Sequence, residues 1–330
     1  MKPLVSILIP AYNAEKWLKD TILSAKNQTW SNTEIIVVDD GSTDNTSAIA
    51  RLFESSTIKL LTNKHMGASA ARNTAYKYAQ GDYIQWLDAD DLLAPDKISI
   101  QIQESILRSD PMSLFSSSFG CFYWRPSKIF FNPTLLWQDL CPVDWIYNKF
   151  LEYSWMNPAV WLINRKLSDQ AGLWNENLSL DDDGEYFTRL VAKSKHVCFV
   201  EQAKSYYRLG NPASLSRSHS DDACNSLWYS IDSSIDCFLA LEDSPRTRQA
   251  CMRYLQDWYI YFYPEKDYLL KLVHSKAKSL GKELPNPPKL DLEYKLIYPF
   301  FGWKGVKAMM HFTSDVKLHS KILRDRLHLL

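Results

Sequence analysis

The sequence predicts an α/β fold, a mostly parallel sheet flanked by helices, with a helical appendage at the C-terminal end. Three observations carry this. Over the first hundred residues short apolar runs alternate with stretches of helical period, a rhythm that implies a parallel sheet with right-handed crossovers. Asp, Asn and Gly cluster where the apolar runs stop, and parallel sheets hold ligands beyond the carboxyl ends of their strands. Past Ser220 the strand signals cease and only helical spacing remains.

Leu4 to Pro10 is a continuous apolar run, a buried strand closed by Pro10. Ala14, Trp17, Leu18, Ile22 and Ala25 then recur at helical spacing, with Asn13 placed to cap the start. Glu34 to Val38 forms a second buried strand ending in Asp39-Asp40-Gly41-Ser42. Asp44 caps a helix carrying Ile49, Leu52 and Phe53, and Ile58 to Leu61 is a third strand. Gly67 to Ala79 makes a helix of small residues, stopped by Gly81.

The next run decides the chemistry. Tyr83, Ile84, Trp86 and Leu87 read as a largely buried strand that ends in Asp88-Ala89-Asp90-Asp91. Like charges packed this tightly at the end of a core strand repel one another unless a cation or a ring of donors neutralises them. A hard divalent metal, Mg²⁺ or Mn²⁺, takes oxygen ligands and leaves positions for phosphates. The alternative is an acidic loop ahead of the helix that Pro95 opens.

Val5-Ser6-Ile7-Leu8-Ile9-Pro10-Ala11-Tyr12-Asn13, Ile36-Val37-Val38-Asp39-Asp40-Gly41-Ser42-Thr43-Asp44, Gly67-Ala68-Ser69-Ala70-Ala71-Arg72-Asn73 and Leu87-Asp88-Ala89-Asp90-Asp91 follow in this order. Together they resemble the motifs of the inverting family 2 glycosyltransferases. The resemblance runs from the N-terminus to about Arg217. It implies a GT-A fold with a Rossmann-like nucleotide-binding half, a nucleotide-diphosphate sugar donor and a divalent metal, Mn²⁺ or Mg²⁺. It further implies a glycan or lipid-linked glycan acceptor.

The resemblance also suggests roles. Asp90 is similar to the metal-holding carboxylate of the DxD motif, and Asp88 to the one nearer the ribose and the metal's waters. Pro10 and Tyr12 resemble residues of the nucleotide-sugar site, Tyr12 lying against the base. Asp40, or its neighbour Asp39, resembles the acceptor for a base or ribose donor, and Arg72 the cation facing the nucleotide. Each residue also has a plainer reading: Tyr12 as packing, Asp39 and Asp40 as an Asx turn before Gly41, Arg72 as a solvated helix residue.

The segment from Met112 to Trp161 is aromatic and harder to read, with a strand over Ser113 to Trp124 and a helix near the end of Trp137 to Tyr153. Its tryptophans, Trp124, Trp137, Trp145 and Trp155, could stack on sugar faces or simply fill core. Gly172 to Phe187 resembles the family's loop and helix start that carry the ED motif, with Asp182-Asp183 standing where Glu-Asp is usual. Inverting transfer needs a base for the acceptor hydroxyl. Asp183 is the expected base and Asp182 its neighbour, although acids at a helix start also serve as caps. A helix N-terminus is expected to keep Asp183 ionised and weakly basic. Tyr206 to Ser216 is similar to the segment closing the family's catalytic domain, but Gly210 stands where many members carry His.

The expected domains are 1–217 for catalysis, divided into a nucleotide-sugar half (1–110) and an acceptor half (111–217), and 218–330 for the helical region. Within the latter, helices are expected about Pro245 to Phe262 and Pro264 to Gly281, then a Pro-rich joint from Leu284 to Pro288. From Lys295 to Leu330 the net charge is +5, which reads as a packed appendage or as peripheral contact with an anionic membrane. Lys plus Arg and Asp plus Glu both number 38, so no global field attracts nucleic acid. The six scattered cysteines, without a CxxC pair, read as buried reduced thiols and favour the cytoplasm, with attachment at the inner face of the membrane. A non-catalytic sugar-nucleotide-binding or scaffolding relative is the alternative function, and intact acids at Asp88, Asp90 and Asp183 favour the enzyme.

Overall fold

The structure, a computed structural model, describes residues 2–211, 220–286, 288 and 292–327. The expected domain boundary at 217/218, the positions from Pro212 to Ser216, and Pro287 and Leu330 therefore lie outside the described residues.

Strands β1 (Val5–Ala11), β2 (Thr33–Asp39), β3 (Ile58–Thr62) and β4 (Tyr83–Trp86) pair in parallel in the order β3-β2-β1-β4. Helices α1 (Leu18–Lys26), α2 (Thr46–Arg51) and α3 (Ala68–Tyr78) form the crossovers. The chain steps outward from β1 to β2 and β3, then returns to β4 on the other side of β1. This reversal leaves a crevice beyond the carboxyl ends of β1 and β4, where both key motifs emerge.

The second half of the sheet is mixed rather than parallel. It contains β5 (Leu92–Leu93), β6 (Ser113–Phe122), the short β7 (Phe130–Phe131), β8 (Leu162–Asn164) and β9 (His196–Arg208). β8 runs antiparallel to both β4 and β6, whereas β6 and β9 are parallel. The parallel rhythm inferred from the first hundred residues does not extend here, because β8 is only three residues long and β6 is separated from it by α5 (Pro142–Leu151) rather than by a simple crossover.

Alternation along each strand sends successive side chains to opposite faces. Ile7, Ile9, Ile35 and Val37 join the core beneath α1 and α4 (Lys97–Arg108). Leu8, Ile36, Val38 and Trp86 join the other core, against α3, α6 (Arg165–Ala171) and α7 (Asp182–Lys193). That second core continues without a break into α8 (Asp221–Leu241), α9 (Pro245–Phe262) and α10 (Asp267–Ser279), through Leu227, Ile231, Phe238, Leu255 and Val273. The chain then forms α11 (Leu292–Lys295) and α12 (Tyr298–Arg326), which departs from helical geometry at Gly302.

Several local expectations are corrected. Asn13 does not cap α1: its backbone is left-handed, the helix starts five residues later, and its Oδ1 accepts from the Thr43 N–H at 2.9 Å instead. Asp44 does cap α2 in effect, accepting from the Thr46 N–H at 2.9 Å, but the helix ends at Arg51 and leaves Leu52 exposed. Gly81 is needed for close approach, not for a left-handed stop: a Cβ there would lie 2.6 Å from the Ser6 backbone nitrogen. α10 begins at Asp267 rather than Pro264. All six cysteines are free, but Cys141 is exposed and Cys237 half-buried, so only four are buried thiols. No described helix is long and apolar enough to cross a membrane.

Candidate active site

The crevice at the β1/β4 reversal is a cleft of about 460 Å³. Pro10, Tyr12, Asp40, Arg72, Asp88, Asp90, Asp182 and Asp183 all line it. Residues more than 170 positions apart in sequence thus meet in one place. Asp39 does not line the cleft; its Oδ1 accepts from the Ser42 N–H at 3.0 Å, which is the turn reading of that motif.

At one end of the cleft Tyr12 leaves β1 with its ring half exposed and stacked on His65, 4.2 Å between centroids. Asp40 is buried, and its two oxygens accept from the backbone N–H groups of Met66 and Gly67 at 2.9 and 2.8 Å. Those bonds pin the loop that leads into α3. Gly67, at φ +96°, supplies the left-handed turn that starts the helix.

From the buried face of α3, Arg72 reaches two carboxylates at once. It donates to Asp88 at 2.9 Å and to Asp182 at 2.6 Å, with its guanidinium 4.3 Å over the Trp174 ring. Asp182 also accepts from Ser69 Oγ at 3.0 Å and from the Asp183 N–H at 3.0 Å. Arg72 is therefore neither a solvated residue nor an uncommitted cation. It joins the β4 acids to the α7 acids, and these charges hold its own pKa up despite burial. Arg72 uses a separate nitrogen for each carboxylate, Nη1 for Asp182 and Nη2 for Asp88, a fork that the single nitrogen of Lys does not offer. Replacing Arg72 with Met leaves Asp88 and Asp182 unneutralised, and the expected destabilisation is about 3 kcal/mol, read from the urea midpoint.

The remaining β4 acids have separate tasks. Asp91 is fully buried, and one oxygen accepts from the Arg208 N–H at 2.8 Å while the other has no partner among the described residues. Burial, then the charges of Asp90 and Asp88, push Asp91 well above the usual carboxylate range. Asp91 thus ties β4 to β9. Asp90 accepts from the Asn211 side chain at 2.8 Å, and burial foremost raises its pKa. Arg208 packs between the rings of Trp17 and Phe122 and donates to the Asp90 carbonyl at 3.0 Å.

Gly210 has a steric explanation. A Cβ there would lie 2.5 Å from Ile322 Cδ1, and its φ of +82° is left-handed. The space that a larger side chain would fill is taken by α12. Gly210→Ala is expected to cost about 1–3 kcal/mol and to loosen α12, measured as a lower urea midpoint and as faster amide exchange along the helix.

Asp183 departs from the expectation set by its helix terminus. Burial and the neighbouring Asp182 and Asp181 push it up to about 7, against the opposing pull of Arg72. Its Oδ1 accepts only the adjacent Gly184 N–H, at 2.9 Å, among the described residues. Desolvation and like charge outweigh the helix dipole here, and Asp183 becomes a stronger base than a surface carboxylate. Lys149, buried on α5, donates to the Gly184 carbonyl at 3.2 Å and Thr188 Oγ1 at 2.8 Å, bracing the first turn of α7.

The tryptophans separate by environment. Trp145 is core, and Trp137 packs with Phe119 and Phe199. Trp155 is half exposed beside Tyr207, a residue of the cleft wall, and Trp124 meets Trp17 edge-on. Ser69, Trp174 and the packed Arg208 were not legible as site residues. Ser69 and Trp174 lie inside recognised motifs, but only the pairing of α3 with the α7 loop shows what they touch.

Residues 6–108 match the model of the family described as Glycosyl transferase family 2. Over this stretch, about a third of the chain, it is similar to glycosyltransferase family 2. It is 36% identical over 165 residues to the Escherichia coli UDP-Glc:alpha-D-GlcNAc-diphosphoundecaprenol beta-1,3-glucosyltransferase WfgD, a match covering 50% of this chain and 61% of that protein. It is 29% identical over 213 residues to TuaG of Bacillus subtilis (strain 168), named for a role in teichuronic acid biosynthesis, covering 64% of this chain and 81% of that one. The chain thus spans less than two thirds of the length of the Escherichia coli relative. Among solved structures, S. aureus TarS 1-349 in complex with UDP-GlcNAc superposes with a TM-score of 0.66 at 16% identity, covering 85% of this chain and 81% of that chain. The fold is GT-A, with a C-terminal helical region.

Proposed function

We propose that the protein transfers one sugar from a nucleotide-diphosphate donor, with inversion, to a hydroxyl of a glycan or lipid-linked glycan. The observation that carries this reading is Arg72: one guanidinium spans Asp88, beside Asp90, and Asp182, beside Asp183. A leaving-group site and a base site thus share one cleft, as a displacement with inversion requires, since nucleophile and leaving group lie on opposite faces of the anomeric carbon.

Asp90 and Asp88 are the residues that would hold a divalent cation. Each commits one oxygen, to Asn211 and to Arg72 respectively, and among the described residues each keeps a second. Their mutual repulsion is among the causes that raise the Asp90 pKa, so the pair suits a hard cation and oxygen-rich partners. Among the described residues no third His, Cys, Asp or Glu joins them, which leaves phosphate and water oxygens to complete the shell. When bound, Mn²⁺ or Mg²⁺ supplies charge stabilisation to the departing diphosphate.

The chain's own groups do the rest. Tyr12, with Pro10 beside it, offers a ring to the base. Asp40 holds the loop at that end of the cleft through the Met66 and Gly67 amides. Arg72 holds Asp88 and the α7 terminus in register, and Asp183 takes the proton from the attacking hydroxyl. What WfgD's name says of its donor and lipid-diphosphate acceptor makes UDP-sugars and polyprenyl-diphosphate glycans the first compounds to try. The test is to incubate the protein with a panel of nucleotide sugars, each acceptor class, and either metal or chelator. Transfer with inverted anomeric configuration by NMR supports the reading; no turnover of any donor, or turnover undiminished in chelator, refutes it.

A further inference from the structure

α12 has two faces with different fates. Inward, Trp303 and Val306 are buried, and Ile322 packs on Gly210. Asp325, 1% exposed, accepts from the backbone N–H groups of Trp124 and Arg125 at 2.7 and 2.9 Å and from Arg125 Nε at 3.0 Å. Arg326 stacks over Trp124 at 4.3 Å. The helix is thus clamped against the rim of the cleft.

Outward, Met309, Phe312, Val316, Leu323 and Leu327 are all exposed, Phe312 by 64%. Their separations of three, four, seven and four residues place them on one stripe of an α-helix. At the start of the helix Phe300 is 80% exposed, beside Phe301 and Leu296. Scattered surface apolar residues need no explanation, but an aligned stripe of this length does. Lys304, Lys317 and Arg324 are exposed on the same helix, and the segment from Lys295 onward carries a net charge of +5 in a chain whose formal net charge is zero, so the rest of the chain is net acidic. An apolar stripe with cationic neighbours, on a helix that cannot span a bilayer, matches an anionic lipid surface.

We propose that α12 lies in the plane of an anionic membrane leaflet, with Met309, Phe312, Val316, Leu323 and Leu327 in the acyl boundary and Lys317 and Arg324 among the headgroups. Because the opposite face of the helix packs on Gly210 and Trp124, the rim of the cleft sits about one helix diameter, ~10 Å, from the bilayer surface. Resting on the transferase reading above, this gives a physical route by which a membrane-embedded acceptor reaches Asp183. The apolar stripe, rather than charge alone, supplies the hold.

The test is flotation of the full-length protein with phosphatidylcholine vesicles, with and without phosphatidylglycerol. The parent protein is expected to float with anionic vesicles and to be partly released by salt. Phe312→Ser/Val316→Ser/Leu323→Ser is expected to lower partitioning about tenfold or more, with an unchanged circular dichroism spectrum. Lys317→Glu/Arg324→Glu is expected to abolish the preference for anionic lipid while leaving the apolar stripe intact. Failure of the parent protein to float, or flotation of the triple variant equal to the parent's, overturns the proposal. So does a parent dimer in lipid-free solution that the triple variant converts to monomer, since the stripe would then pack on a second copy. Donor hydrolysis, measured without lipid, is expected to be equal in parent and triple variant; its absence in both would refute the transferase reading and leave the flotation result standing.

Discussion

Asp183→Asn is expected to lower sugar transfer by about 10²–10⁴-fold while leaving donor binding intact. The substitution keeps the shape of the side chain and its place beside Gly184, and removes only the capacity to accept a proton. The parent protein adds a sharper signature. Asp183 titrates at about 7, because burial and the charges of Asp182 and Asp181 favour its neutral form. A base must be deprotonated to act, so kcat rises tenfold per pH unit below that value and levels off above it. The groups facing Asp183 come from several elements: Arg72 on α3, Asp88 after β4, Lys149 on α5 and Tyr207 on β9. Arg72 lowers the Asp183 pKa, so its loss is expected to shift the inflection upward. Asp182→Asn is expected to cost less. Asp182 already accepts from Arg72, Ser69 and the Asp183 N–H, and its role is to hold these groups in place. If Asp182→Asn proves the more damaging and also removes the inflection near pH 7, the base is Asp182. Should neither substitution slow transfer, the acids at the start of α7 are caps alone.

The second large effect is expected at Asp90. Asp90→Ala is expected to reduce metal-dependent donor turnover on the order of 10²–10³-fold or more, because the developing diphosphate charge loses the cation's anchor. A binding readout separates this from misfolding. Mn²⁺ together with UDP is expected to raise the melting temperature of the parent but not of the variant. Without metal the variant is expected to be at least as stable as the parent, since the substitution removes a half-buried carboxylate that is repelled by Asp88. A variant that still gains thermal stability from Mn²⁺, or a parent whose turnover persists in chelator, would remove Asp90 from that role.

Much of this architecture was legible in the chain because its cause is local. The apolar runs of β1, β2 and β4 follow from burial on both faces, and the carboxylates after β4 follow from where that strand must end. The expected bounds of α9, about Pro245 to Phe262, match the helix, whose start is held by a capping box of Ser244 and Thr247 with Pro245 in the first turn. The start of α1 could not. Asn13 has the chemistry of a cap, yet its side chain is drawn across to Thr43 on the neighbouring turn.

Within the site the same division holds. The sequence by itself determined which acids are available, namely Asp88, Asp90, Asp182 and Asp183, since their spacing along strand and helix termini is a property of the chain. Only the tertiary structure decided what each acid is. Asp39 went into a turn, Asp91 to the Arg208 backbone, and Asp182 to Arg72. Asp183 was left, among the described residues, with one adjacent amide and a raised pKa. Sequence reading expected a weak base from the helix dipole, a one-element argument. The opposite sign emerges because desolvation and like charge are contributed by residues from other elements, whose approach no local pattern encodes. Gly210 shows the same limit: its identity is explained by Ile322, more than a hundred positions away, and only the packing of α12 onto β9's end brings the two together.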